Sequence, residues 1–315
     1  MKMKPLIVIA GPTAVGKTDL AIRLAEYLNT EIISADSMQV YKYMNIGTAK
    51  PTPEQQRRVT HNLINLVAPD QDFSVADYQE LFDQTVERII SAGKIPLVAG
   101  GTGLYIRACL NYFSFQDPGA NYQLREELKT AALNSGEPDF LHRRLQQVDP
   151  ITAGRIHQND SRRIIRALEV FYQTGTPISF FQEQRKSIPK YRTIYILLDR
   201  DREELYRRIE ARVDLMMEEG LIAEVADLLA RGYSPELKSM QSLGYKQIGD
   251  YLQKKITLEQ AVDLTKQLTR NYAKRQLTWF RKEPVDLWIN ISDNNREFFG
   301  EILSYIEGRI SQHVE

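Results

Sequence analysis

The sequence predicts an α/β fold in which a parallel sheet is flanked by helices and carries a mostly helical insertion. Two observations indicate the core: apolar strand-like runs alternate with helical patterns, and a glycine-rich loop directly follows the first run. A third observation indicates the insertion, because residues 114–191 have helical patterns throughout and interrupt the alternation. We therefore expect a core formed by residues 1–113 and 192–315, and an inserted domain at 114–191.

Short apolar runs predict the strands, and longer runs with helical spacing predict the helices. The predicted strands are, in order, Leu6–Ala10, Glu31–Ala35, Leu63–Val67, Ile95–Ala99, Thr193–Leu198 and Leu287–Ile291. The predicted helices of the core are Thr18–Leu28, Val75–Ser91, Arg202–Glu219, Leu221–Arg231 and Leu258–Lys282. In such sheets, ligands bind beyond the carboxyl ends of the strands, and the glycine-rich loop after the first strand lies at such an end.

Composition excludes several classes of protein. No apolar run is long enough to cross a bilayer, and the first strand begins too early for a signal peptide, so we expect a cytoplasmic protein. The single cysteine, Cys109, excludes an internal disulfide, and the four histidines lack zinc-ligand spacing. Lys and Arg number 41 and Asp and Glu number 41, and this zero net charge argues against general coating of nucleic acid.

The loop after the first strand has the spacing G-x-x-x-x-G-K-T, which is typical of a phosphate-binding loop. Its backbone N–H groups can surround an anion, the lysine adds a cation, and the threonine hydroxyl is a candidate Mg²⁺ ligand. Since the loop recognises phosphates alone, we also expect ATP to occupy it weakly. The predicted binding residues are Gly11, Pro12, Thr13, Ala14, Val15, Gly16, Lys17 and Thr18, with Thr18 as the metal ligand.

Other polar residues at strand ends and on one helix complete the candidate site. Asp36 follows the second strand and suits a general base, although an aspartate there can equally cap the following turn. The fourth strand ends in Gly100–Tyr105 without an acid, which disfavours an ATPase or GTPase. That turn predicts either a helix cap by Thr102 or a surface for a planar group. Arginines 207, 208 and 212 can stabilise a departing phosphate or form a solvated face.

Two basic segments stand out from the neutral chain. Residues 141–192 contain ten Lys and Arg against four acids, and residues 266–282 contain six and no acid. In the second segment Lys266, Arg270, Lys274 and Arg281 fall along one helical stripe. Either segment alone could be a solvated face, but together they favour a polyanionic macromolecule as partner.

Motifs spread over nearly the whole chain resemble those of bacterial tRNA dimethylallyltransferases, also called tRNA isopentenyltransferases. Histidine and cysteine content indicates the short form without a C-terminal zinc finger. The motifs are Gly11–Thr18, Ser34–Tyr41, Met44–Pro51, Gly100–Tyr105, Asn159–Arg163 with Arg166–Phe171, Gly244–Gln247 and Lys274–Trp279.

The resemblance implies that dimethylallyl diphosphate donates its dimethylallyl group to the exocyclic amine of the adenosine just 3′ of the tRNA anticodon. It implies a monomer that requires Mg²⁺ and contacts the anticodon arm through the inserted domain. The implied catalytic residues are Thr13, Lys17, Asp36 and Arg212. The implied tRNA contacts are Asp36, Ser37, Met38, Gln39, Thr102, Arg125, Asn159, Asp160, Ser161, Arg162, Arg163, Gly244, Tyr245, Lys246, Arg270, Lys274 and Arg275.

Three alternatives stay open at this point. A small-molecule kinase would use the loop and Asp36 but would have no use for the basic segments. A free-nucleotide isopentenyltransferase would share the chemistry without needing a large tRNA-binding insertion. A non-catalytic RNA-binding module would not require Lys17 and Thr18.

Overall fold

A computed structural model of the protein describes residues 3–110, 119–183, 189–292 and 298–311. The described residues form one sheet with strand order β3-β2-β4-β1-β5-β6, in which all neighbouring strands are parallel. The strands are β1 (Pro5–Ala10), β2 (Ile32–Ala35), β3 (His61–Asn62), β4 (Leu97–Gly100), β5 (Arg192–Asp199) and β6 (Leu287–Asn290). The predicted parallel α/β architecture is confirmed.

Helices connect and cover these strands. Those of the core are α1 (Lys17–Tyr27), α2 (Pro53–Arg58), α3 (Val75–Ser91), α4 (Gly103–Leu110), α10 (Arg202–Glu218), α11 (Leu221–Ala230), α12 (Tyr245–Leu252), α13 (Leu258–Phe280) and α14 (Phe298–Ser311). Those between β4 and β5 are α5 (Tyr122–Ser135), α6 (Phe140–Val148), α7 (Pro150–Ala153), α8 (Ser161–Thr174) and α9 (Ile178–Glu183). None of the described helices combines the length and the apolar character that crossing a membrane requires.

Both faces of the sheet are buried, as the apolar strands require. Successive residues of β1 alternate between the faces, so Leu6 and Val8 join one core cluster while Ile7 and Ile9 join another. Helices α3 and α11 contribute to the first cluster, and α1, α10 and α14 contribute to the second. The strand ends that precede the loop 11–18 and Asp36 are therefore held by packing on both sides.

The prediction of a third strand at Leu63–Val67 is wrong. Strand β3 ends at Asn62, because Leu63 (φ 61°) and Asn65 (φ 54°) have left-handed backbone that cannot continue a strand. Val67 makes only an isolated bridge to Tyr41. Apolar composition without regular alternation misled the prediction here.

The chain divides into two compact units, one formed by residues 1–111 and 189–315 and the other by 112–188. The second unit contains α5–α9, whose core includes Leu128, Leu145, Ile164 and Leu168. Parts of the predicted insertion, residues 114–118 and 184–188, lie outside the described residues.

Candidate active site

The loop between β1 and α1 is shaped by two glycines with backbone conformations that other residues rarely adopt. Gly16, the N-cap of α1, has φ 113°, and Gly11 has φ 153°. At Gly11 a Cβ atom would lie 2.6 Å from the carbonyl oxygen of Leu198 on β5, so a side chain would collide with the sheet. The N-terminus of α1 consequently follows the end of β1 closely, as an anion-binding loop requires.

Cationic side chains hold the carbonyl groups of this loop. Lys17 Nζ donates to the carbonyl oxygens of Gly11 (2.9 Å) and Pro12 (2.6 Å). Arg208 Nε donates to Ala14 (3.1 Å) and Arg200 Nε donates to Val15 (2.8 Å). The C=O and N–H of a trans peptide unit point in opposite directions. Drawing the Val15 carbonyl towards Arg200 therefore turns the N–H of Gly16 to the other side of the loop.

Asp36 combines the two roles that the sequence left open. Its Oδ1 accepts from the backbone N–H of Met38 (2.8 Å) and, more weakly, of Gln39 (3.4 Å), so the carboxylate caps the turn after β2. No hydrogen bond to Oδ2 is found from the described residues, and Asp36 lines a cavity together with Lys17. Asp36 therefore fixes the turn through Oδ1 and also belongs to the cavity wall.

This first cavity has a volume of about 90 Å³ and lies beyond the carboxyl ends of β1, β2 and β4. Its lining includes Thr13, Lys17, Thr18, Asp36, Gln39, Gly101, Arg212, Tyr272 and Gln276. A second cavity of about 390 Å³ shares Thr13, Asp36, Thr48, Ala49, Arg212 and Tyr272 with the first. Because six wall residues are common to both, the two cavities are neighbours, and Asp36 belongs to the wall that they share.

Burial and neighbouring charges shift the ionisation of residues that line these cavities. Burial raises the pKa of Asp36, although the Met38 N–H and the Lys17 ammonium oppose the rise. Burial, with the help of nearby Arg212, lowers the pKa of Lys17 to about 7. Burial and Arg208 likewise lower the pKa of Arg212. Cations crowded in this way favour the binding of a multiply charged anion, which would relieve their mutual repulsion.

Gln276 of α13 connects the loop between β1 and α1 to the turn after β4. Its Oε1 accepts from the Thr13 N–H (2.8 Å), and its Nε2 donates to the Gly101 carbonyl (2.9 Å). Beside it, burial and the Asp36 carboxylate raise the pKa of Tyr272 to about 12, so this phenol is a neutral hydrogen-bond donor.

The sequence analysis includes Gln276 in a motif but assigns no role to Gln276 or Tyr272, although one signal could have found them. Thr265, Thr269, Tyr272 and Gln276 are spaced four, three and four apart, which is a polar stripe on one face of a core helix. All but Gln276 line the second cavity.

The glycines of the Gly100–Tyr105 turn allow close packing. A Cβ atom at Gly100 would lie 2.2 Å from the Ala35 carbonyl, and one at Gly103 would lie 2.2 Å from the Trp279 ring. The Thr102 hydroxyl accepts from the N–H of Ser37 (3.0 Å) and so stabilises the turn that contains Asp36 and Ser37. Thr102 is not among the residues that line the two cavities. The turn is therefore tight, and because Gly100 and Gly101 line the first cavity, the surface for a planar group stays a prediction.

Similarity to known proteins agrees with this geometry. The family profile described as IPP transferase matches residues 39–283. The chain belongs to the IPP transferase family. It is 50% identical to a tRNA dimethylallyltransferase of Carboxydothermus hydrogenoformans over 293 residues, covering 93% of this chain and 94% of that protein. It is 49% identical to a second one, of Acetivibrio thermocellus, over 91% of this chain and 92% of that protein.

Solved structures of the family share the fold. The full-length tRNA isopentenylpyrophosphate transferase of Bacillus halodurans superposes with a TM-score of 0.74 at 43% identity, covering 99% of this chain and 98% of that one. A eukaryotic dimethylallyltransferase, described as acting on tRNA, superposes with a TM-score of 0.79 at 32% identity, covering 93% of this chain and 75% of that one.

In this member of the IPP transferase family, some predicted tRNA contacts line the second cavity and others are already engaged within the protein. Ser37, Met38, Gly244 and Arg275 line it. Tyr245, by contrast, is only 1% exposed, which leaves its side chain no surface for RNA. Gln39 uses its carboxamide internally, accepting from Ser34 and donating to the carbonyls of residues 48 and 49.

The basic stripe of α13 is partly neutralised by α10. Lys266 pairs with Asp214 (2.6 Å) and Arg270 pairs with Glu210 (2.5 Å), a compensation that the acid-free sequence of α13 does not reveal. Lys274 is exposed, with its ammonium 5.8 Å from the Tyr206 ring centroid. Lys246 pairs with Asp250 (2.9 Å). Of the four stripe residues, Lys274 and Arg281 are therefore the exposed ones without an ion pair among the described residues.

In the second unit, the predicted contacts lie at the start of α8 and on α5. Asp160 caps α8 by accepting from the Arg163 N–H (3.3 Å), while Asn159, Ser161, Arg162 and Arg163 are exposed. Arg125 forms a bidentate pair with Glu169, whose carboxylate is fully buried (Nε–Oε1 2.8 Å and Nη2–Oε2 2.9 Å). The guanidinium of Arg125 is thus held in one orientation.

Proposed function

We propose that the protein transfers the dimethylallyl group of dimethylallyl diphosphate to the exocyclic amine of the adenosine immediately 3′ of the anticodon in tRNA. The products are diphosphate and N⁶-isopentenyladenosine. One observation supports this proposal most strongly: a carboxylate with raised pKa, Asp36, lines both a small cavity that Lys17 and Arg212 also line and a larger neighbouring cavity.

In this reaction the bond between the allylic carbon and the diphosphate oxygen breaks, and a bond forms between that carbon and the adenine nitrogen. Negative charge develops on the departing oxygen. We propose that Lys17 and Arg212, which line the first cavity, stabilise that charge together with N–H groups at the start of α1. Stabilisation of the leaving group accounts for the largest part of the expected acceleration.

Asp36 is proposed to take the proton that the adenine amine loses as the new bond forms. The raised pKa of this carboxylate makes it a stronger base than an exposed aspartate. Its Oδ1 remains bound to the Met38 N–H, so Oδ2 is the oxygen proposed to accept the proton. The acceptor base must leave its stack to reach this point, and the second cavity offers the space.

The residues present fit a requirement for Mg²⁺. The Thr18 hydroxyl lines the first cavity, and no cluster of three or more His, Cys, Asp or Glu is found in the described ranges. Magnesium bound through one or two protein oxygens and the phosphates of a substrate suits such a site. When bound, the ion would neutralise charge on the diphosphate.

The decisive experiment is to incubate the protein with labelled dimethylallyl diphosphate, Mg²⁺ and total tRNA, and then to digest the tRNA and identify the modified nucleoside. We expect labelled isopentenyladenosine adjacent to the anticodon. AMP as acceptor, and γ-labelled ATP as donor, are the comparison reactions. Transfer to AMP but not to tRNA, or transfer of phosphate from ATP, would contradict the proposal.

A further inference from the structure

Segment 45–49 forms one wall of both cavities. Thr48 and Ala49 line each of them, and their carbonyl oxygens accept from Gln39 Nε2 (3.4 and 3.2 Å). Gln39 in turn belongs to the turn that Asp36 caps. The position of segment 45–49 therefore affects both the shape of the cavities and the orientation of the turn carrying Asp36.

A single carboxylate from another element holds this segment. Glu224 of α11 accepts from three consecutive backbone N–H groups, those of Asn45 (2.9 Å), Ile46 (3.0 and 3.1 Å to the two oxygens) and Gly47 (3.3 Å). Successive N–H groups that converge in this way form an anion-binding concavity. Here the anion is a side chain of the protein itself.

Tyr245 orients the carboxylate and packs on the segment. Its hydroxyl donates to Glu224 Oε1 (2.5 Å), and a Cβ atom at Gly47 would lie 2.4 Å from its ring, so only glycine allows this contact. Tyr245 follows Gln241, Ser242, Leu243 and Gly244, which line the second cavity. The Glu224–Tyr245 pair thus links two walls of that cavity.

We propose that Glu224 is a positioning residue for the transfer reaction: its carboxylate, held by Tyr245, fixes segment 45–49 relative to the turn that carries Asp36. The proposal rests on the proposed function, since it concerns the same site. Glu224 does not line either cavity, so it acts through the segment and not on the substrate. The sequence separation of about 180 residues between Glu224 and the segment hides this relation from sequence analysis.

Replacing Glu224 by alanine removes the anion but leaves the three N–H groups and the Tyr245 hydroxyl, so added acetate should bind in its place. We expect Glu224→Ala to lower kcat for transfer by about 10- to 100-fold, because small displacements of catalytic groups have effects of that size. Binding of inorganic diphosphate should change little, since Lys17 is held by the carbonyl groups of Gly11 and Pro12 and not through Glu224. Acetate, compared with chloride at equal ionic strength, should restore part of kcat and raise the Tm of this variant only.

The controls separate positioning from folding. Kinetics are measured well below the Tm of Glu224→Ala, at a temperature where circular dichroism shows that this variant is folded. Glu219→Ala, which replaces an exposed glutamate, is the control: its kcat should equal that of the wild type, and acetate should change neither its kcat nor its Tm. Tyr245→Phe keeps the ring on Gly47 but removes the hydroxyl, and it should lower kcat with an unchanged fold. If Glu224→Ala does not fold, the kcat values of Tyr245→Phe and Glu224→Gln test the inference in its place.

The inference would be overturned if Glu224→Ala, or both Tyr245→Phe and Glu224→Gln, had the kcat of the wild type. It would also be overturned if folded Glu224→Ala lost kcat and acetate did not restore any of it. Absence of transfer by the wild-type protein would instead overturn the proposed function. The acetate-dependent Tm of Glu224→Ala would still test whether the N–H groups bind a carboxylate.

Discussion

The bridge made by Gln276 predicts a measurable coupling between the two sides of the site. Gln276→Leu would leave the Thr13 N–H and the Gly101 carbonyl facing an apolar side chain. A buried backbone group without its partner costs about 1–3 kcal/mol, and the added apolar burial of leucine offsets part of the sum. We expect a loss of about 2–4 kcal/mol in the free energy of unfolding.

Gly101→Ala should break the same contact from the other side, because a Cβ atom there would lie 2.3 Å from Gln276 Nε2. The two substitutions are therefore not independent. The double variant should lose less free energy of unfolding than the sum of the two single losses, by at least about 1 kcal/mol. Urea unfolding followed by tryptophan fluorescence measures this, since both tryptophans, Trp279 and Trp288, belong to the unit that holds the site.

The same variants should be slow in transfer, because the bridge fixes the phosphate-binding loop relative to the turn after β4. Gln267→Leu, on the exposed side of α13, is the matched control and should change neither stability nor activity. Single losses below about 0.5 kcal/mol, or losses that add without coupling, would refute the bridge as a stabilising contact.

Three further predictions concern individual charges. Asp36→Ala should lower transfer by about 10²–10⁴-fold, the usual contribution of a general base, with tRNA and diphosphate binding nearly intact; near wild-type rates would reduce Asp36 to a turn cap. Because burial lowers the pKa of Lys17 to about 7 in the free protein and a bound anion would raise it, diphosphate binding should take up a proton above pH 7. Affinity should then fall with rising pH, by up to about tenfold per unit, and calorimetry in buffers of different ionisation enthalpy should detect the uptake, with Lys17→Met as the control that lacks it. Lys274→Gln should flatten the salt dependence of tRNA affinity by just under one log–log unit, whereas Arg270→Gln, whose guanidinium is paired with Glu210, should leave the slope nearly unchanged; equal effects would show that the pairing opens on binding.

Local chemistry allowed the sequence to predict much of the core. A glycine-rich loop between a strand and a helix has one common arrangement, so Gly11–Thr18 were predicted at the right place from spacing alone. Asp36 was predicted because a polar residue at the carboxyl end of a parallel strand must face the edge where ligands bind. Both predictions depend on contacts within a few residues, where sequence determines conformation directly.

Contacts between distant segments could not be predicted in this way. Gln276 accepts from the Thr13 N–H although 263 positions separate the two residues in the chain. The sequence alone gives no partner for Arg270, whereas the structure pairs it with Glu210 of α10. Sequence by itself determined which residue types stand at each strand end, since backbone conformation and apolar spacing are local properties. Only the tertiary structure decided which of those side chains are engaged and which face the cavity, because that depends on helices that packing brings together from distant parts of the chain.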